Sequence, residues 1–395
     1  MKSGGLTCQL LMFDDIAVYG VHGKSRGEQQ LRNALKYIYQ WSVRWRMRFS
    51  GTKSQLVQFT FIRERNRPTV KPILLGDTTL TLVSSYRYLG LLYDDRLTWR
   101  SHRETVLSNA RHRASLISRV IRNTSPGVLP VRLLVLVCLL PSIIYGLPFW
   151  NIRKCDFLGF NSIISAPLRR VLHLPPSTHR LTVLADCGVP DIATLCEKSL
   201  FDMARRFRHL PHDHPSFIIY CSSSFPSFND RLRTVLRAWS LRASSPPAQV
   251  HRAITTAQMT RWRAANLCHD LITARPVSSA GLASHYRSDT SVAAAIRARL
   301  RMNRSNLNHS QFRRHMISSG MCSCELGDET VAHLLVCAHY DHLRIGFRHL
   351  PFFFKITANF LLGEVSRLRS RYRMNALRVG SWYLCAVDHL RPGGI

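Results

Sequence analysis

Two adjacent carboxylates, Asp14 and Asp15, interrupt the otherwise largely apolar run from Cys8 to Gly20. The segments on either side, from Leu10 and up to Tyr19, are short and β-prone. A polar pair between two such segments predicts strand, tight turn, strand. A hairpin constrains the chain strongly, because its turn fixes both the pairing partner and the register. A tip with two carboxylates can also hold a divalent cation against a phosphate. Taken alone, Asp-Asp between strands is ordinary turn chemistry.

The surroundings of the pair are basic. Formal net charge is +32, from 55 basic and 23 acidic residues; eight of the basic residues are Lys, which leaves 47 Arg. Arg is always charged and grips phosphate bidentately. So large a surplus repels itself unless it is spread out or neutralised by a polyanion, and nucleic acid is the leading partner. The bland alternative is a coding bias toward Arg. A secretory leader is not expected, since the first twenty residues lack a charged start, a long apolar core and a cleavage site. The best membrane candidate, Val131 to Trp150, carries Arg132, Pro141 and Pro148, and its unbroken apolar stretch is too short to span. It reads as a buried helix followed by a strand or turn. The eleven Cys in a chain of 395 residues show no small-secreted-domain pattern and suit a reducing, intracellular compartment.

Periodicity organises the rest. Leu31, Leu35, Ile38, Trp41 and Trp45 predict an amphipathic helix over 28–48. Gln55 to Phe61 alternates as a strand, and further strands are expected near Ile73–Leu75 and Thr79–Val83. A second helix is expected over 102–121, with Val106, Ala110, Ala114, Ile117 and Ile121 inward. Helices dominate beyond it, broken near 210–229 and 244–248. In the helix expected at 292–304, Arg297, Arg301 and Arg304 share a face, which is either solvated or a phosphate contact.

Four ordered segments resemble the reverse transcriptases of LINE-type (non-LTR) retrotransposons. Leu10–Gly20 resembles their palm hairpin with its Asp pair. Trp45–Phe59 resembles the following palm motif, in which Lys53 would lie near the incoming triphosphate. Tyr86–Trp99 is similar to their primer-grip segment, which assigns Tyr88, Leu89 and Gly90 to the grip and leaves Asp94 and Asp95 as turn residues. Leu140–Gly146 with Trp150 resembles the start of the helical thumb, and 166–190 echoes the connecting region. The resemblance implies RNA-templated DNA synthesis, Mg²⁺ held by Asp14 and Asp15, RNA and DNA as partners, and a nuclear site of action. This sequence departs from the family in two ways. Either Phe13 stands where a small residue precedes the pair or that residue is deleted, and only thirteen residues, none acidic, precede Asp14. Two carboxylates do not complete a two-metal site, so this polypeptide alone is expected not to polymerise.

A second constellation lies near the C-terminus: Cys322, Cys324, His333 and Cys337, in the pattern Cys-x-Cys-x8-His-x3-Cys. Three thiolates and an imidazole suit tetrahedral Zn²⁺; ordinary thiols beside a surface His are the alternative. Glu329-Thr330 and His333-Leu334-Leu335 again resemble the family, in which this knuckle binds nucleic acid. His339 and His342 are spare ligands of lower rank. Arg301, Arg304, Arg313, Arg314, Arg344 and Arg348 flank the cluster.

The fold expected is α+β: a partial palm with an antiparallel sheet over 1–100, a helical thumb and connection over 101–210, a helical linker over 211–300, a zinc knuckle over 301–350 and a tail over 351–395. The functional expectation is a fragment of an RNA-directed DNA polymerase that binds nucleic acid. A non-catalytic nucleic-acid-binding protein, or a decayed transposon reading frame, is the alternative. No apurinic-type endonuclease, ribonuclease H acidic set, phosphate-binding GxxxxGK loop or serine nucleophile elbow is recognisable, and no oligomeric state follows.

Overall fold

The computed structural model describes residues 9–12, 15–20, 25–62, 66–150, 152–214, 216–217, 221, 226–242, 244–264, 284–350, 356–363, 365, 368, 370–391 and 393–395. The chain divides into two compact units, Met1–Thr105 and Val106–Ile395.

In the first unit, β1 (Gln9–Met12) and β2 (Asp15–Val18) pair antiparallel, with Met12 opposite Asp15. The connection therefore has two residues, Phe13 and Asp14, which lie outside the described residues. Helix α1 (Ser25–Arg44) follows. It buries Leu35 with Ile73 and Leu75, and Val18, Leu31, Tyr39, Phe49, Leu56, Val70 and Leu80 pack around them. The expected apolar face bends away from this core at its end. Ser42, not Trp41, continues the buried stripe and donates to the Tyr39 carbonyl. Trp41 lies about a quarter-turn off that stripe, and both it and Trp45 are exposed.

Six short strands complete this unit among the described residues: β3 (Gln55–Val57), β4 (Leu74–Leu75), β5 (Thr78–Thr79), β6 (Thr81–Val83), β7 (Ser85–Tyr88) and β8 (Leu91–Asp94). They form separate two-stranded sheets, not the single antiparallel sheet expected, and β3 pairs with β6 in parallel. The physical reason is the length of chain between these two strands. A parallel pair needs a crossover of about a dozen residues or more, and the segment containing the β4–β5 hairpin supplies it. β3 stops at Val57, short of the expected Phe61. Soon after, the Thr60 N–H leaves any ladder to donate to the Asp95 carbonyl at 2.9 Å.

The second unit is helical. Helix α2 (Arg100–Thr124) turns Val106, Ala110, Ala114, Ile117 and Ile121 inward, as its periodicity requires. The segment after it reads as α3 (Val128–Leu134), a π-helical turn (Val135–Leu139) and α4 (Leu140–Ile144). At this turn the Leu140 N–H reaches back five residues to Val135. Pro141, which has no N–H to offer, follows directly, and the wider turn accommodates it. Trp150 closes the segment, fully buried, its Nε1–H donating to the Tyr145 carbonyl. Among the described residues no helix is long and apolar enough to cross a membrane.

Helices α5 (Lys154–Val171), α6 (Arg180–Asp186) and α7 (Ile192–Arg208) complete this core. Asp191 caps α7 by accepting from the Thr194 N–H at 2.7 Å. The Arg132 guanidinium donates to the carbonyls of Cys187 and Gly188 at the end of α6. Helices Pro226–Ala238 and Pro247–Ala264 pack on α7. Helices Ser291–Arg301 and Ser370–Leu390 share a continuous apolar core with the Cys/His segment, and the short helix Ser284–Ser288 packs on Ser370–Leu390.

Candidate functional site

The Cys/His segment is built around a tight loop. Met321 and Asp328 form an isolated antiparallel bridge, and the Cys322 N–H donates to the Gly327 carbonyl at 2.9 Å. Glu325 adopts φ +61° and Gly327 φ +155° to turn the chain within six residues. Thr330 then caps the short helix Val331–Leu334, its hydroxyl accepting from the His333 N–H. One turn on, the Cys337 N–H bonds back to the His333 carbonyl at 2.8 Å. That helical turn brings His333 and Cys337 together across a three-residue spacing, since residues four apart share a face.

The four ligand atoms of Cys322, Cys324, His333 and Cys337 lie within 4.8 Å of one another. The Cys322 and Cys337 sulfurs are 3.8 Å apart, and Cys324 Sγ is 3.1 Å from His333 Nε2. A tetrahedral ion with bonds to sulfur of about 2.3 Å sets its sulfurs about 3.8 Å apart, so the donor set fits zinc in both chemistry and spacing. Cys322, His333 and Cys337 are buried and Cys324 is half-buried. The Leu326 backbone N–H, bonded to the Cys324 sulfur, holds that thiol below its ordinary value. Burial pushes the Cys337 thiol up to about 11. Metal binding would therefore have to displace a proton from Cys337. His339 and His342 are exposed and stand outside the cluster. The Arg344 guanidinium secures the end of the loop, donating to the Cys337 carbonyl and pairing with Asp341, both at 2.6 Å.

The structure corrects the expected arginine face. Arg297 is fully buried and forks onto Asp289 at 2.8 and 3.2 Å, with further donations to Ser381 Oγ and the Leu361 carbonyl. It has no surface left for a phosphate. The periodicity concealed this because Asp289 lies before the helix, outside the stripe. Arg301 is engaged in the same way, with Asp186 at 2.6 Å and the Leu362 carbonyl at 2.9 Å. Asp186 also accepts from the Tyr286 hydroxyl. Arg314 donates to the carbonyls of Ser310 and Ser305. Arg304 is half-buried and Arg313 is exposed.

In the first unit, Asp15 opens β2. Lys53 is exposed in the turn after α1, and its own carbonyl accepts the Tyr86 hydroxyl at 2.9 Å. That bond ties the Lys53 turn to the β7–β8 hairpin. At the hairpin tip Leu89 (φ +47°) and Gly90 (φ +81°) are both left-handed, the requirement of a two-residue type I′ connection. Asp94 organises the following turn: one carboxylate oxygen accepts from the N–H groups of Arg96 and Thr98, the other from the Trp99 N–H at 2.7 Å. Asp95 pairs with Arg67 at 2.7 Å. Both are structural carboxylates, and the Tyr86–Trp99 motif is in large part a recipe for this hairpin and turn.

Over 189 residues the chain is 23% identical to the RNA-directed DNA polymerase from mobile element jockey of Drosophila funebris, a match covering 47% of this chain and 20% of that relative. Over 179 residues it is 26% identical to the probable RNA-directed DNA polymerase from transposon BS of Drosophila melanogaster, covering 45% and 20%. The chain thus matches about a fifth of the length of each relative. It is similar to RNA-directed DNA polymerases of non-LTR retrotransposons. No protein-family model matches it. No solved structure matches it.

Proposed function

We propose that the chain is the late-palm, thumb and zinc-knuckle portion of an RNA-directed DNA polymerase of a non-LTR retrotransposon, and that it grips nucleic acid. The similarity to two such polymerases carries the reading. Two features of the fold support it: the antiparallel pairing of Gln9–Met12 with Asp15–Val18, and a second hairpin fastened to the Lys53 turn.

In this reading Asp14 and Asp15 hold Mg²⁺, which would supply positive charge to the attacking hydroxyl and the phosphate. Lys53 faces the triphosphate, Tyr88, Leu89 and Gly90 support the primer end, and Cys322, Cys324, His333 and Cys337 hold zinc. The zinc closes a short polar loop and carries out no reaction step. Arg304 and Arg313 remain as phosphate contacts near the knuckle; Arg297 does not.

The deciding experiment measures binding of a primer–template duplex by the purified chain as salt is varied. Affinity falls steeply between low and moderate salt, as counterion release requires, and flat affinity ends the proposal. In the same mixture the chain alone extends no primer, because two carboxylates do not build a two-metal site. Mg²⁺-dependent extension by the pure chain would overturn that part.

A further inference from the structure

The helix Ser370–Leu390 supplies no metal ligand, yet it holds the ligand segment at two points. Tyr383, fully buried, donates its hydroxyl to the Leu334 carbonyl, one residue past His333. Just beyond the helix, Arg391 forks onto both carboxylate oxygens of Glu329, each at 2.9 Å. The two side chains of this pair are only 10% and 6% exposed.

Glu329 lies in the chain between the Cys pair and His333. Its backbone N–H donates to the Gly320 carbonyl at 2.8 Å, just ahead of Cys322. Its carboxylate also accepts from the Asn308 N–H at 2.7 Å. Arg391 reaches on to the Asn306 carbonyl at 2.7 Å. The same helix is bolted at Ser381 to Asp289 and Arg297. A chain of buried polar contacts thus runs from the loop that carries the thiols to the last helix and on to Ser291–Arg301. A buried ion pair contributes little net stability against an apolar replacement, but removing one partner leaves the other stranded. Its value here is positional.

We infer that Glu329 and Arg391 are positioning residues for the metal centre, and that metal loading and docking of the helix Ser370–Leu390 are linked. Because linkage is reciprocal, the loaded centre holds the helix down, and a loosened helix weakens the grip on the metal. The inference rests on the proposed zinc site, and the test separates the two.

The zinc affinity of the full chain is measured by competition with a chelator. Glu329→Gln and Arg391→Gln each lower it about 10–100-fold, the range for residues that orient ligands from behind. Arg378→Gln, at an exposed position of the same helix, leaves it unchanged. With cobalt(II) in place of zinc, Arg391→Gln also shifts the visible ligand-field bands, which a merely stabilising residue does not do. Tyr383→Phe, a milder change, gives a smaller loss and covers the case in which the charge variants fail to fold. Hydrogen exchange on the unmutated chain needs no variant: chelation raises exchange in 322–337 and in 376–391 together. Exchange rising in 322–337 alone, or unchanged zinc affinity in a folded Arg391→Gln chain, overturns the inference. Absence of zinc binding by the unmutated chain overturns the metal site itself, and this inference with it.

Discussion

Residues 9–105 and residues 284–395 each carry a short polar loop that the sequence marks for chemistry, and they hold it by different means. Around the Lys53 turn and the β7–β8 hairpin the buried apolar side chains are few: Leu35, Ile38, Ile73, Leu75 and Leu91 among the described residues. Large side chains such as Tyr37 (66% exposed) and Trp45 (64%) stand in solvent. Geometry there comes from backbone devices, namely a left-handed pair at a hairpin tip and one Asp gathering three N–H groups. Around the Cys/His loop a continuous core runs from Ile296 to Ile395, threaded by buried ion pairs. A loop made by turn chemistry is damaged locally and mildly; a loop embedded in a connected core is damaged globally.

The largest expected effect lies on the metal. Cys337→Ser abolishes stoichiometric zinc in metal analysis, and chelation lowers the melting temperature of the unmutated chain, since structural zinc in small modules contributes on the order of 10 kcal/mol. A folded chain that retains one zinc after Cys337→Ser would contradict this. Loading also releases protons, because the buried Cys337 thiol is held up at about 11. Zinc affinity therefore falls as pH falls.

Arg297→Ala comes next. It strands Asp289 in a fully buried site and is expected to cost about 3–5 kcal/mol in chemical denaturation. A cost below about 1 kcal/mol, the level of an exposed pair, would show that the pair is not isolated from water.

His285 gives an acid limb to the same region. Burial first, then Arg301 and Arg297, hold its pKa well below the ordinary 6.5. The unfolded chain therefore binds this proton more readily. Stability is full above the unfolded value of about 6.5 and falls as pH drops below it. His285→Gln flattens that limb in denaturation curves taken from pH 7 to pH 5.

The smallest effects belong to the first unit. Asp94→Ala removes the acceptor for three N–H groups at a partly exposed turn and is expected to cost about 1–2 kcal/mol. Gly90→Ala at φ +81° costs about 1 kcal/mol. Both are read in the melting of the first unit. Costs as large as that of Arg297→Ala would erase the contrast between the two regions.

The sequence made some of this legible and hid the rest for identifiable reasons. The hairpin at 9–18 and the stripe from Val106 to Ile121 followed from strand and helix periodicity, which is local. The cluster of Cys322, Cys324, His333 and Cys337 could be picked out because thiols and imidazole in close spacing have few other uses. The burial of Arg297 is not legible locally, because a guanidinium at helical spacing looks the same on a solvated face as in a core; only its partner Asp289, eight residues away, decides. The helix Ser370–Leu390 falls in the stretch expected only as a tail, although its buried Ala376, Leu377, Tyr383, Leu384 and Val387 recur at helical spacing. The parallel β3–β6 pair had no local signature, since its register depends on how the intervening chain crosses over.

The π-helical turn at Val135–Leu139 bears on how this chain can change. It holds one residue more than a regular helix would need. The wide turn absorbs it without turning the flanking faces out of phase, so Val128 and Val131 before it and Ile143 after it stay buried on one side. This stretch can therefore shed that one residue, become a regular helix and keep its inward side, so its length as well as its composition is free to drift.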